Sequence, residues 1–381
     1  MPAAMHGAYE APVAWAGGWA NHERVGGLRW VGRAASACLA AAIAVGAAAV
    51  PAASAPGAPS VILRQQVIAT GLTSPWGLAF LPDGSALVSE RDTQLIKRVT
   101  PKGRVTTVGR VPGAVPEGEG GLLGIAVPPE PSPRYVYAYY TAAEGNRVSR
   151  FAWDGRQLGS EQLLLRGIPK AAIHNGGRIA FGPDGMLYIA TGDAADPELS
   201  QDRRSLAGKV LRMAPDGSVP KDNPFPGSLV WTLGHRNVQG LAFGASGRVY
   251  ASEFGQRDVD EVNLLRPGAN YGWPVHEGAA DDRRFVNPIA SWSPTAIASP
   301  SGMAVIDGSA YVASLRGQRL WRIPLRGDGA GRPRAVALGD LGRLRTIAQA
   351  PDGSMWLVTS NTDGRGQPRA SDDRIIRLRV R

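Results

Sequence analysis

The chain has 381 residues, 44% of them hydrophobic, with 49 Gly, 30 Pro, a single Cys and a net charge of +10. The apolar fraction supports a sizeable core and excludes general disorder, and the glycines lack the three-residue period of collagen. The Lys and Arg residues are scattered rather than clustered, so the charge points to solubility and anionic small molecules, not to nucleic acid.

Residues 1–55 have the layout of a secretory signal with an N-terminal extension. Arg24, Arg29 and Arg33 precede an Ala-rich apolar run from Ala34 to Val50, and small residues follow. Cleavage between Ala52 and Pro56 is expected, with an uncleaved anchor as the alternative. Cys38 lies inside that run, so the mature chain would hold no cysteine. Zinc–thiolate sites and cysteine nucleophiles are thereby excluded.

From residue 56 a repeat begins. Gly77–Glu90, Gly124–Tyr140, Arg178–Ala190, Gly240–Glu253, Gly302–Ser314 and Thr346–Thr359 each read as short strand, turn, short strand. Several carry a Pro-Asp-Gly turn, where Gly accepts the positive φ. The copy at 124–140 carries a Pro-rich insertion. Six copies about 45–60 residues apart predict one all-β domain over 56–381, a six-bladed β-propeller. A β-sandwich is the competing architecture. The polar loops ahead of the repeated strands should meet on one face.

Those loops carry the chemistry. His174-Asn175-Gly176-Gly177 offers a histidine with room for a substrate, the residue type that most often serves as a base near neutral pH. His235-Arg236-Asn237 offers a second cluster, in which His235 is expected to orient its neighbours; His276 has no supporting context. Arg236, Arg316, Arg343 and Arg345 flank repeated strands, and 343 and 345 share one side of an extended chain. Converging guanidiniums suit a ligand with several carboxylates, whereas each alone reads as a surface arginine. The stretch from Glu253 to Asn263 and then Asn270-Tyr271-Gly272-Trp273-Pro274 crowds carboxylates, amides and accessible carbonyls. It suits a hard cation such as calcium or, without metal, a simple acidic loop. No H-E-x-x-H, G-x-S-x-G, Walker A or G-x-G-x-x-G pattern is present.

Taken together, Gly118-Glu119-Gly120-Gly121-Leu122-Leu123-Gly124, the His174 loop, Gly234-His235-Arg236-Asn237 and Asn270–Pro274 resemble the soluble quinoprotein glucose and aldose sugar dehydrogenases. The resemblance spans roughly residues 66–379. It implies a six-bladed propeller that binds pyrroloquinoline quinone (PQQ) and calcium, oxidises aldose sugars and passes electrons to an external acceptor. By position it implies His174 as the base at the sugar C1 hydroxyl. Glu119, Arg236, Asn237, Arg316, Arg343 and Arg345 would surround the cofactor. The carbonyls of Gly255 and Gln256 would ligate its calcium, and Glu261 and Tyr271 a second, structural calcium.

Two positions depart from the glucose-oxidising members. Ile173 replaces an Asp before the base, so His174 must be oriented from elsewhere. Glu119 replaces a Gln, adding an anion beside an anionic ligand unless it is paired or protonated. Both changes favour the broader aldose branch. A periplasmic or extracellular monomer or homodimer, with no stable membrane insertion after cleavage, is expected. A non-catalytic sugar- or protein-binding propeller is the rival, and a lactonase-like hydrolase a third reading.

Overall fold

The computed structural model describes residues 63–380; the signal expected over 1–55 lies outside them. Within this range the regular elements are β-strands arranged as six antiparallel sheets, with two short 3-10 turns at Pro197–Ser200 and Thr295–Ile297. Blade 1 spans 75–110, blade 2 122–168, blade 3 179–233, blade 4 238–292 and blade 5 300–336. Blade 6 takes Leu344–Gln349, Met355–Thr359 and Ile375–Val380, and its outer strand is Leu63–Ala69 from the opposite end of the chain. That exchange ties the first strand to the last and covers an edge that would otherwise be free to pair.

Each expected repeat falls on the first two strands of a blade. Pro75–Phe80 pairs with Ala86–Glu90, and Met355–Thr359 with Leu344–Gln349. The turns form for a local reason. At 81–85, Gly84 adopts φ +80°, and Asp83 Oδ1 accepts from the Ser85 amide at 3.0 Å. Asp184 and Asp352 do the same for Met186 and Ser354.

The first strands surround a central channel and contact one another in sequence around the ring. Glycine makes that narrow hub possible. A Cβ at Gly124 would lie 2.1 Å from the Gly177 carbonyl, and one at Gly240 2.5 Å from that of Ser301. Between blades the core is aromatic and aliphatic. Trp356 of blade 6 meets Phe80 of blade 1 edge to face, with centroids 5.1 Å apart. Tyr188 of blade 3 touches Phe243 of blade 4 in the same manner. Such a buried ring contributes about 1.5–3 kcal/mol through removal from water. Because every first strand leaves the same face, the loops that precede them gather at one mouth of the channel.

Candidate active site

At that mouth is a pocket whose lining includes Glu119, Asn175, Gly176, Arg343 and Arg345. It thus brings together residues from blades distant in sequence. Gln239, from the polar stretch that begins at His235, lines it as well, as do Trp76, Arg91, Asp363 and Arg365, which nothing in the repeat pattern marked. Four arginines face two carboxylates, which leaves the pocket cationic.

His174 sits beside Asn175 and Gly176 with φ +59°, a left-handed conformation unusual for a side-chain-bearing residue. Its amide donates to Glu119 Oε2 at 3.0 Å and its carbonyl accepts from the Ala194 amide. Its Nδ1 lies 2.7 Å from Asp193 Oδ1. Asp193 is fully buried and also accepts from Trp273 Nε1 at 2.9 Å and from the Ala195 amide. A carboxylate only accepts, so Nδ1 carries the proton and the lone pair falls on Nε2. Nε2 has no hydrogen-bond partner among the described residues. The histidine without an aspartate before it is therefore oriented by an aspartate nineteen residues after it.

Glu119 is likewise answered. Its Oε1 lies 2.8 Å from Arg365 Nη1, so the added anion is paired. Asp363 joins the two arginines of blade 6. Its Oδ2 accepts from Arg343 Nε and Nη2 at 3.0 and 2.9 Å and lies 3.7 Å from Arg345 Nη2. Burial acts to raise the Asp363 pKa, but Arg345 and Arg343 together hold it below the ordinary range. Burial pushes the Arg345 guanidinium down to about 10. The two arginines share one carboxylate, so only part of their charge is free for a ligand.

Arg236 lies beside the pocket and not in its lining. Its Nη1 donates to the Gly255 carbonyl at 2.7 Å, and its guanidinium lies over the Trp273 ring. His235 is fully buried between Glu253 and Thr232, with its ring stacked on Tyr271. It reaches no pocket and acts as a structural post. Glu253 also accepts the Arg236 amide, so the post fixes the backbone of the loop. Arg316 is exposed and makes no hydrogen bond or ion pair among the described residues; its neighbour Leu315 lines the pocket in its place.

Three buried donors around the pocket, Arg236 Nε, Asn237 Nδ2 and Arg345 Nε, have no partner among the described residues. The Asn237 Oδ1 is occupied by the Gly176 amide and Gln239 Nε2, which leaves its amino group for a ligand. Buried donors without acceptors are costly, so this set fits an acceptor-rich anionic molecule.

The expected cation positions lie around the loop 255–261. The amides of 256–259 converge on Glu277 Oε1, at 2.7–3.3 Å. The carbonyl of Gly255 is turned to Arg236, beside the pocket, and that of Gln256 accepts no hydrogen bond among the described residues. Glu261 is held by Asn263 Nδ2 and the Gly278 amide, while Asn263 Oδ1 is buried without a partner among the described residues. Burial, with the nearby Glu253 charge, raises the Glu261 carboxyl to about 8. The Tyr271 hydroxyl donates to the Leu264 carbonyl and accepts the Arg266 amide, so only its backbone carbonyl is available. Among the described residues no three His, Cys, Asp or Glu side chains form a metal cage. A cation here would rest on carbonyls with one or two carboxylates, a donor set suited to calcium.

The comparisons agree with this geometry. The family model described as Glucose / Sorbosone dehydrogenase matches residues 72–376. The chain is 55% identical to the PQQ-bound aldose sugar dehydrogenase of Streptomyces coelicolor, covering 85% of this chain and 100% of that one with a TM-score of 0.80. It is 36% identical to quinoprotein glucose dehydrogenase B of Acinetobacter calcoaceticus over 58% of this chain and 54% of that protein. It is 27% identical to the Escherichia coli aldose sugar dehydrogenase YliI over 81% of this chain and 92% of that protein. The six-bladed ring with its arginine-lined mouth therefore belongs to a member of the glucose/sorbosone dehydrogenase family.

Proposed function

We propose that this chain is an exported quinoprotein that oxidises aldose sugars at C1 to lactones, with His174 as the base. The observation that carries this reading is the His174–Asp193 pair set beside a pocket lined by four arginines. Family membership and the similarity to PQQ-dependent sugar dehydrogenases support PQQ and calcium as its cofactors.

Bound there, the quinone would supply the two-electron acceptor and calcium the Lewis acid. The protein's own residues do the rest. Arg343, Arg345 and the free amino group of Asn237 would hold the anionic ligand, and Gly255 and Gln256 carbonyls the calcium. His174 Nε2 is placed to take the proton of the C1 hydroxyl, and the quinone, when bound, would accept the C1 hydride. The resulting imidazolium is stabilised by Asp193, which is already hydrogen bonded to Nδ1. Trp273, donating to the other oxygen of Asp193, keeps that carboxylate from rotating. Glu261 and the Tyr271 carbonyl would hold the second calcium.

The test is reconstitution with PQQ and calcium, followed by dye reduction across several aldoses. Cofactor bound without any sugar oxidation would overturn the enzymatic reading in favour of a binding propeller. No helix among the described residues is long and apolar enough to cross a membrane. Export by a signal within 1–55 is checked by N-terminal sequencing of the native protein, which should begin between about residues 52 and 60.

A further inference from the structure

The opposite mouth of the channel is built differently. Its lining carries no acidic residue, and its single charged side chain is Arg178. Six alanines line the passage, one from each blade: Ala79, Ala126, Ala180, Ala242, Ala304 and Ala348. At the corresponding place two residues earlier the blades carry Gly77, Gly124, Arg178, Gly240, Gly302 and Thr346. Four glycines thus leave space at the hub, and one arginine occupies it. A Cβ at Gly302 would lie 3.1 Å from Arg178 Nη2.

Arg178 is 7% exposed and has no carboxylate partner among the described residues. Its Nε donates to the Gln239 carbonyl and its Nη2 to Thr346 Oγ1, both at 2.9 Å. Its guanidinium lies over the Trp76 ring at 4.3 Å, and Arg345 approaches the same ring at 5.5 Å. Trp76 and the two guanidiniums therefore form a layer that divides the channel into two pockets. Burial and the adjacent Arg345 charge push Arg178 down to about 9. A buried cation beside another cation, answered only by neutral acceptors, is costly without an anion.

We propose that this mouth is a second binding site, which takes a single-chain amphiphile with an anionic head, a medium-chain aliphatic carboxylate. The carboxylate pairs with Arg178, and the chain lies along the alanines toward Phe80, Phe181 and Phe243. From Arg178 to Phe181 is three residues, about 10 Å of extended strand. This site is independent of the sugar chemistry proposed above, since it lies beyond the Trp76 layer and uses none of those residues.

The experiment is calorimetric titration of the purified protein with decanoate and, separately, with decanol, which has a comparable chain and no charge. Decanoate should bind with one site, and decanol at least about tenfold more weakly, the scale of one lost charge-assisted pair. Ala180→Glu lies two residues along the same strand, on the same side as Arg178. It offers an internal carboxylate and should weaken decanoate by at least the same factor. Arg178→Met should do so too, and Ala180→Glu decides the matter if that variant does not fold. No decanoate binding to the parent protein, equal affinity for decanol, or undiminished decanoate binding by Ala180→Glu would each overturn the proposal.

Discussion

Asp193 Oδ1 and His174 Nδ1 lie 2.7 Å apart, joining the loop before blade 3 to the loop after its second strand. This contact assigns the proton to Nδ1 and the lone pair to Nε2. His174→Ala should lower kcat by about 100-fold or more, the scale of a lost general base, with little change in quinone affinity. Asp193→Asn keeps the size but can donate to Nδ1, favouring the wrong tautomer, and should also lower kcat severely. Steady-state kinetics with a saturating dye acceptor reads both. A variant with undiminished kcat would remove that residue from the mechanism.

Gly192 lies under the same pair. An added Cβ would stand 1.9 Å from the His174 carbonyl and 3.0 Å from Asn237 Oδ1. Neither backbone nor Asn237 can yield cheaply, because Asn237 is buried and hydrogen bonded to Gly176 and Gln239. Gly192→Ala should therefore cost about 1–3 kcal/mol of stability, as overpacking does. It should lower kcat as well, by displacing His174 from Asp193. Thermal unfolding and kcat measured on one preparation check both, and an unshifted melting temperature would contradict the packing argument.

The six blades were legible because each repeats the same strand–turn–strand pattern, and four of the six turns carry Asp-Gly. The N-terminal strand's place in the last blade was not, since Leu63–Ala69 lacks the repeat and pairs across nearly the whole chain. His174, Arg343 and Arg345 stood out by residue type and by family motif. Asp193, Asp363 and Arg365 did not, because a carboxylate or an arginine in a polar loop shows its role only through the partner it meets in space. The same reason separates Arg236 and Arg316, alike in sequence context: one grips the Gly255 carbonyl, the other stays in solvent. Asp193 follows Thr191 and Gly192 directly after the second strand of its blade, and that position was the available signal.

Lys209 gives a pH prediction. It is fully buried, and its Nζ donates to the carbonyls of Leu199, Ser200 and Ala207 at 2.7, 3.0 and 2.6 Å. It thereby closes the loop that starts at Asp193. Burial pushes its ammonium down to about 7. The unfolded chain keeps that proton up to about pH 10.4. Between those values the unfolded state binds more protons, so stability from this residue rises with pH and is lowest below about 7. Lys209→Met should remove this slope, and denaturant unfolding of both proteins from pH 6 to 10 reads it. Parallel curves for the two proteins would show that Lys209 does not titrate in this window.

Glu119 and Arg365 bear on capture of an anionic cofactor. Arg365, one of the pocket's four arginines, neutralises Glu119 at 2.8 Å, and its loss would halve the surplus positive charge of the lining. Arg365→Ala would leave the carboxylate facing the ligand, restrained only by the His174 amide. The pair is partly exposed, so its loss should weaken PQQ binding by only about two- to fivefold. Arg365→Ala combined with Glu119→Gln removes both charges and should restore most of the affinity. Arg345→Ala differs in kind. Arg345 is buried, with Nε unpartnered, so its loss should weaken binding about 10- to 150-fold, and Arg345→Lys should recover only part, lacking the planar fork. Titrating each variant with PQQ at saturating calcium, followed by absorbance, separates the two effects. If Glu119→Gln fails to rescue Arg365→Ala, the carboxylate is not the source of the loss. If Arg345→Ala binds as the parent does, the arginines of blade 6 serve Asp363 and not the cofactor.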